Sequence, residues 1–138
     1  MKLCNEVITV FNARWDAALG DDVYFPTVIR GASWRADQRQ SVDARGGLVS
    51  ADRVTVRIPE GADAGGSAFV DAAAYRNAPD ASGLWTLTGG TYIVRGEAGP
   101  GDWTPGKLRE AFADCMCVLG VADNRRAPRA RHWRAVGT

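Results

Sequence analysis

The sequence predicts a small, mainly β protein of the α+β class. The expected fold is a β-barrel or sandwich of about seven short strands, with one helix in the C-terminal half and long polar loops. Three observations predict it. Val54, Val56 and Ile58 alternate with Arg53, Thr55 and Arg57, the period-two pattern of a half-buried strand. Short runs rich in β-branched and aromatic residues recur along the chain, separated by Gly, Pro and Asp turn signals. Good helical spacing occurs in a single stretch, after Thr104 and Pro105.

Residues 6–15, with Val7, Ile8, Val10, Phe11 and Trp15, read as the first strand, and residues 16–22, with Gly20 and two adjacent aspartates, as a turn. Residues 23–26 restart an extended segment. Pro26 cannot donate to a ladder, which places this segment at a sheet edge or a bend. Residues 27–35 continue as a strand in which Gly31 marks a bulge. Residues 37–50 are polar, carry Gly46 and Gly47, and read as a long hairpin arm or a mobile loop. Residues 53–59 are the clearest strand, and Pro59 helps to end it.

Residues 61–67 are small and polar, a flexible loop; one glycine–aspartate stretch without a nonapeptide period does not make a calcium repeat. Phe69 and Val70 form a short strand. Residues 71–76 allow one or two helical turns with Asp71 as N-cap. Residues 84–87 and 91–95 flank Thr88, Gly89 and Gly90, which predicts a hairpin. Thr104 is a fitting N-cap and Pro105 a fitting first residue for a helix that buries Leu108, Ala111 and Phe112 and ends near Asp114. Residues 115–121 read as a buried strand, residues 124–131 as a basic loop broken by Pro128, and residues 132–136 as the last strand.

The 138 residues suit one domain spanning 1–138, with no internal repeat and no linker. A hydrophobic share of 46% with 24% charged residues is that of a globular chain rather than a disordered one. No apolar run approaches the roughly 20 residues that span a bilayer. The opening residues 1–6 lack a long apolar stretch, so no secretory signal is read and no membrane is expected. The expected location is the cytoplasm or something assembled there.

Charge is unevenly spread. Arg125, Arg126, Arg129, Arg131 and Arg134 fall in the last fourteen residues with no acid among them, while the other 124 residues carry 12 bases against 16 acids. Fifteen of the 17 basic residues are arginine, which points to codon bias for most of them but leaves the terminal cluster to be accounted for. Arginine interleaved with Trp133 and His132 suits a protein–protein interface, because Arg and Trp are enriched there. The same residues suit phosphate contact and base stacking, although a pI of about 7.7 is low for a dedicated nucleic-acid binder. Of the five tryptophans, Trp15, Trp34, Trp85, Trp103 and Trp133, a barrel this small cannot bury all, so one or two should meet partner subunits.

Signatures of chemistry are thin. No phosphate-binding glycine loop and no Gly-x-Ser-x-Gly elbow occurs. The single histidine, His132, lies among arginines. Cys4, Cys115 and Cys117 make a poor disulfide framework, and with one histidine a poor zinc set; buried thiols acting as small hydrophobes are the expectation. No catalytic, cofactor-binding or metal residue is assigned, and the chain is not read as an enzyme.

Several segments together resemble a family of small proteins encoded in the structural gene clusters of tailed phages and prophages, often labelled minor capsid proteins. They are the opening Leu3-Cys4-Asn5-Glu6-Val7-Ile8-Thr9-Val10-Phe11-Asn12, Tyr24-Phe25-Pro26-Thr27-Val28-Ile29-Arg30-Gly31-Ala32-Ser33-Trp34, Val54-Thr55-Val56-Arg57-Ile58-Pro59, Phe69-Val70-Asp71 and Gly90-Thr91-Tyr92-Ile93-Val94-Arg95-Gly96. The most specific is the ending Leu119-Gly120-Val121-Ala122-Asp123-Asn124-Arg125-Arg126-Ala127-Pro128, followed by His132-Trp133-Arg134-Ala135-Val136-Gly137. The resemblance implies a β-barrel of the head–tail connector or head-closure kind. It implies assembly in a ring with copies of itself and with portal, adaptor or tail-completion proteins, in a virion put together in the bacterial cytoplasm, with packaged DNA within reach. A ring also needs two different faces that meet around a closed axis, and residues 37–50 and 61–67 are candidate arms for strand addition. The interface expected from the sequence is Arg125, Arg126, Arg129, Arg131, His132, Trp133 and Arg134. The alternative is a nucleic-acid-binding β-barrel that uses the same cluster on phosphates.

Overall fold

The computed structural model describes residues 4–42 and 48–138. Six of its eight strands close an antiparallel barrel in the order β1-β2-β3-β8-β7-β6. These are β1 (Glu6–Asp16), β2 (Asp21–Val42), β3 (Leu48–Pro59), β6 (Tyr92–Arg95), β7 (Cys115–Asp123) and β8 (His132–Gly137). The remaining pair, β4 (Ala68–Phe69) and β5 (Leu84–Trp85), is a parallel two-stranded sheet. Two helices are present, α1 (Ala72–Asn77) and α2 (Pro105–Ala111). The mainly β expectation holds, and closure of the sheet decides for a barrel over a sandwich.

The alternation in β3 does what it predicts: Val54, Val56 and Ile58 point inward, where they meet Ile8 and Val10 of β1, Ile29 of β2, Ile93 of β6, Met116 and Val118 of β7, and Ala135 of β8. A second apolar cluster lies on the outside of the barrel. There α2 presses Leu108 against Phe11, Val94, Ala98 and Cys115, with Trp103 and Phe112 at its margin. This explains why β1 reads as apolar on both faces: one face lines the barrel and the other lies under α2. Thr9, on the covered outer face, donates to the Gly96 carbonyl at 2.8 Å and accepts from the Ala98 N–H at 3.0 Å, fixing the chain that leads to α2.

Local signals are met in detail. Gly31, at φ +94°, is the extra residue where the register of β1 against β2 shifts beside Glu6 and Val7. Pro26 pairs across to β1, while β2 pairs with β3 only from Ser33 onward, so Pro26 sits on a strand edge as expected. Asp71 and Thr104 cap their helices through the N–H groups of Ala74 and Lys107. The β2–β3 ladder runs out to Val42↔Leu48, an arm of paired strands, with residues 43–47 of the expected arm lying outside the described residues.

Three expectations are corrected. Residues 84–87 and 91–95 do not pair as a hairpin; β5 joins β4, while β6 lies between β1 and β7. The helix ends at Ala111, which is exposed, with Phe112 as its C-cap. Residues 61–67 do not form an arm: Arg30 and Asp63 exchange two backbone hydrogen bonds of 2.8 and 3.0 Å, and Ala62 and Ala64 pack on the core.

Residues 60–91 run from the end of β3 to the start of β6, and so plug one mouth of the barrel. Trp85 and Leu87 reach the core from this plug. The turn of the β1–β2 hairpin and the loop of the β7–β8 hairpin leave from the same mouth. In the closed strand order they stand diametrically opposite each other.

Candidate functional site

The arginine loop, residues 124–131, hangs between β7 and β8 and is pinned at both ends. On one side Asp123 accepts the Arg125 N–H at 3.1 Å and takes its guanidinium in a bidentate grip, Nη2 to Oδ2 at 2.7 Å and Nε to Oδ1 at 2.9 Å. The guanidinium also lies 5.0 Å from the Phe69 ring centre and 4.9 Å from that of Trp133. These two rings and Trp85 form an aromatic cluster with centroids 4.6 to 5.2 Å apart. Arg125 therefore caps the plugged mouth.

On the other side His132 uses both ring nitrogens. The Asn124 side-chain amide donates to Nε2 at 3.1 Å, which assigns the ring proton to Nδ1, and Nδ1–H donates to the Ala130 carbonyl at 2.6 Å. Ala130 has φ +50°, a positive value for a residue with a Cβ, so this hydrogen bond closes a strained turn. The Asn124 N–H reaches the His132 carbonyl and the Glu60 N–H reaches that of Arg131. A histidine engaged at both nitrogens helps to fix the loop's shape.

The seven residues expected at the interface thus separate. Arg126, Arg129 and Arg131 are exposed on the loop, and among the described residues none pairs with a carboxylate. Arg134 is exposed on the outer face of β8. Arg125 and His132 shape the loop from within. Trp133 leaves the surface set altogether: it is 5% exposed, faces into the barrel with Ala135 and Gly137, and belongs to the aromatic plug. Its indole N–H has no partner among the described residues, so its contribution is packing. The alternation Trp133, Arg134, Ala135, Val136 carried this signal, because a strand with Arg134 outward must turn Trp133 inward.

Of the exposed apolar residues, the sequence reading anticipated only that one or two tryptophans would stay unburied; Leu19, Phe25, Leu119 and Val121 it did not single out. Trp15, Leu19 and Phe25 on the β1–β2 hairpin, with Leu119 and Val121 on β7, are the exposed large hydrophobic side chains among the described residues. Trp15 and Leu19, 68% and 71% exposed, flank a turn in which Asp16 accepts the N–H groups of Ala18 and Leu19. Leu119 is the extra residue of a bulge where Val118 faces Gly137 and Gly120 faces Val136.

A cleft of about 600 Å³ lies between the β1–β2 hairpin, α1 and residues 86–92. Arg14 on its wall is already engaged, donating to the Ala78 carbonyl at 2.6 Å and stacking over Tyr75 at 5.7 Å. Burial pushes the Tyr24, Tyr75 and Tyr92 hydroxyls above their ordinary range, so they stay neutral hydrogen-bonding groups. Burial likewise pushes up the Cys115 thiol, which keeps it a packing residue. No group of three or more His, Cys, Asp or Glu side chains among the described residues could hold a metal ion. No helix among them is long and apolar enough to cross a membrane.

The Arg125 latch gives a pH prediction. Hydrogen bonds from Arg125 hold the Asp123 carboxyl below the usual carboxylate range. A carboxylate with a depressed folded-state pKa adds stability above its unfolded value, and that stability is lost as pH falls through the folded one. Asp123→Asn should therefore lower stability at neutral pH, by no more than about 1 kcal/mol for so exposed a pair. It should also flatten the fall in Tm below about pH 4. Thermal melts from pH 2.5 to 7 check this; parallel curves for wild type and variant would remove the latch from the account.

Residues 3–138 match the model of a family of unknown function (DUF6751), and the chain belongs to that family. No curated protein and no solved structure matches it.

Proposed function

We propose that this chain is a structural protein of a tailed phage or prophage virion, seated at the head–tail joint. It acts through protein–protein contacts in a ring, with portal, adaptor or tail-completion proteins as neighbours, and without chemistry of its own. The observation that carries the reading is the arginine loop. Internal bonds hold its shape on both sides, yet it presents Arg126, Arg129 and Arg131 to solvent without carboxylate partners among the described residues. A rigid surface with an excess of positive charge is suited to a partner that supplies opposite charges. The barrel interior is filled by side chains and its mouth by the aromatic plug, which leaves the outer surface for function. The resemblance of the ending, residues 119–128 and 132–137, to minor capsid proteins supplies the setting.

Immunogold labelling of particles from a host carrying the gene tests this. Label at the junction of head and tail, and unjoined heads and tails after deletion, is the expected result. Normal particles that lack the chain would refute it.

The nucleic-acid reading keeps one favourable observation, the same three exposed guanidinium groups without carboxylate partners among the described residues, of which Arg131 also donates to the Ala127 carbonyl at 3.2 Å. It loses the stacking half of its case, because Trp133 is buried. Three phosphate contacts would give a slope of log affinity on log salt of about −3. The expected result is no retention on duplex DNA at physiological salt. Retention with that slope, abolished by replacing Arg126, Arg129 and Arg131, favours the alternative.

A further inference from the structure

The five exposed large hydrophobic side chains among the described residues divide between two hairpins, and each hairpin also carries charged side chains with no ion-pair partner among those residues. The β1–β2 tip carries Trp15 and Leu19 beside Asp21 and Asp22, both exposed, which pair with no base among the described residues. The β7–β8 side carries Leu119 on the outer wall at the bulge and Val121 at the mouth, beside Phe69, Trp133 and Arg125. One surface is thus apolar and acidic, the other apolar and basic. The closed strand order sets them on opposite sides of the same barrel mouth, with β3 between them on one flank and β6 on the other. Among the described residues no ion pair joins them within one chain.

Two complementary patches on opposite sides of one molecule are the requirement for a heterologous, head-to-tail contact that repeats from copy to copy. We infer that the occupant of the arginine-loop face is a second copy of this chain, docking by its β1–β2 tip. Trp15 and Leu19 lie against Leu119, while Asp21 and Asp22 meet Arg126 and Arg129. The hairpin is fit for this. Beyond Phe11, β1 has no strand partner but β2, so the tip stands out as a two-stranded ribbon, and the Asp16 side chain holds its turn in shape. This inference rests on the ring reading and names the partner of that same loop.

Sedimentation velocity at low salt, over a range of concentrations, tests it with two charge-reversed variants. One is Asp21→Lys with Asp22→Lys; the other is Arg126→Glu with Arg129→Glu. All four positions are exposed, so circular dichroism should show both variants folded. The native chain is expected to self-associate, and salt should weaken the association. Each variant alone should associate about tenfold or more weakly, as should Trp15→Ala. Mixing the two variants should restore assembly, because every tip then faces a loop of opposite charge. A photo-crosslinker at Leu19 should reach residues 119–131 of another copy.

A native chain that stays monomeric at every concentration overturns the inference, as do variants that assemble like the native chain or a mixture that does not recover. If such a chain is nevertheless found at the head–tail joint, the contact is wrong and the virion reading stands. Assembly through these surfaces by a chain absent from particles is the reverse case.

Discussion

Gly137→Ala is expected to destabilise the barrel by about 3 kcal/mol or more, lowering Tm by roughly 10 °C in a domain of this size. Gly137 is buried in β8 between Val54 of β3 and Val118 of β7, where the last two strands close the barrel. A Cβ built there runs into the Cys117 backbone carbonyl oxygen, and comes within 2.7 Å of the carbonyl carbon and 2.9 Å of Met116 Cε. The methionine end could swing away. The carbonyl cannot, because it accepts the Thr138 N–H at 3.2 Å while the Cys117 N–H donates to the Thr138 carbonyl at 3.0 Å. Relief requires β7 and β8 to part at their most constrained point, beside the Leu119 bulge. Gly106→Ala in α2 is the matched control. Nothing lies within 4 Å of its Cβ, and there alanine should be neutral or stabilise by up to about 1 kcal/mol. Chemical denaturation of both variants decides the matter: equal behaviour would mean that the strands near Gly137 yield freely.

What could be read from the sequence was local. Val54, Val56 and Ile58 announced an inward face because β3 obeys period two against a polar outer face. Asp71 and Thr104 announced helix starts because a cap needs only the next three residues. Gly31 announced a bulge for the same reason. The face of β1 could not be chosen, since the inside of the barrel and α2 cover opposite sides of it and leave no polar stripe. Trp15 and Leu19 therefore gave no sign that the hairpin outruns both coverings. At the candidate site, the positions of Arg126 and Arg129 followed from charge alone. The inward turn of Trp133 followed from alternation with Arg134, but was masked by treating residues 125–134 as one basic patch. The pairing of Arg125 with Phe69 needed contact between residues more than fifty apart, which the run of arginines does not encode.

Behind the failed hairpin at Gly89 and Gly90, besides the β4–β5 pairing, stands one buried polar side chain, and removing it should be nearly as damaging as the change at Gly137. Asn12, 2% exposed and the first residue of β1 beyond its pairing with β6, donates from Nδ2 to the Thr86 carbonyl at 2.7 Å and accepts the Thr86 N–H at Oδ1 at 3.1 Å. The amide thus imitates a neighbouring strand and draws residues 84–87 across the barrel mouth, so Trp85 and Leu87 enter the core instead of pairing with β6. Asn12→Leu keeps the size but leaves two buried backbone groups unpaired, at about 1–3 kcal/mol each; a loss near 4 kcal/mol is expected. Asn12→Asp separates hydrogen bonding from packing. Its second oxygen faces the Thr86 carbonyl and, when ionised, is buried without a partner, so the folded state raises its pKa. A carboxyl with a raised folded pKa is destabilising when ionised and recovers as pH falls, because the protonated form can donate to the Thr86 carbonyl. Asn12→Asp should therefore gain Tm relative to wild type between pH 7 and about pH 5, while Asn12→Leu shows no such gain. If both variants melt within a degree or two of wild type at every pH, the plug is held by Trp85 and Leu87 alone, and the tertiary pairing by Asn12 is not what overrode the glycine turn.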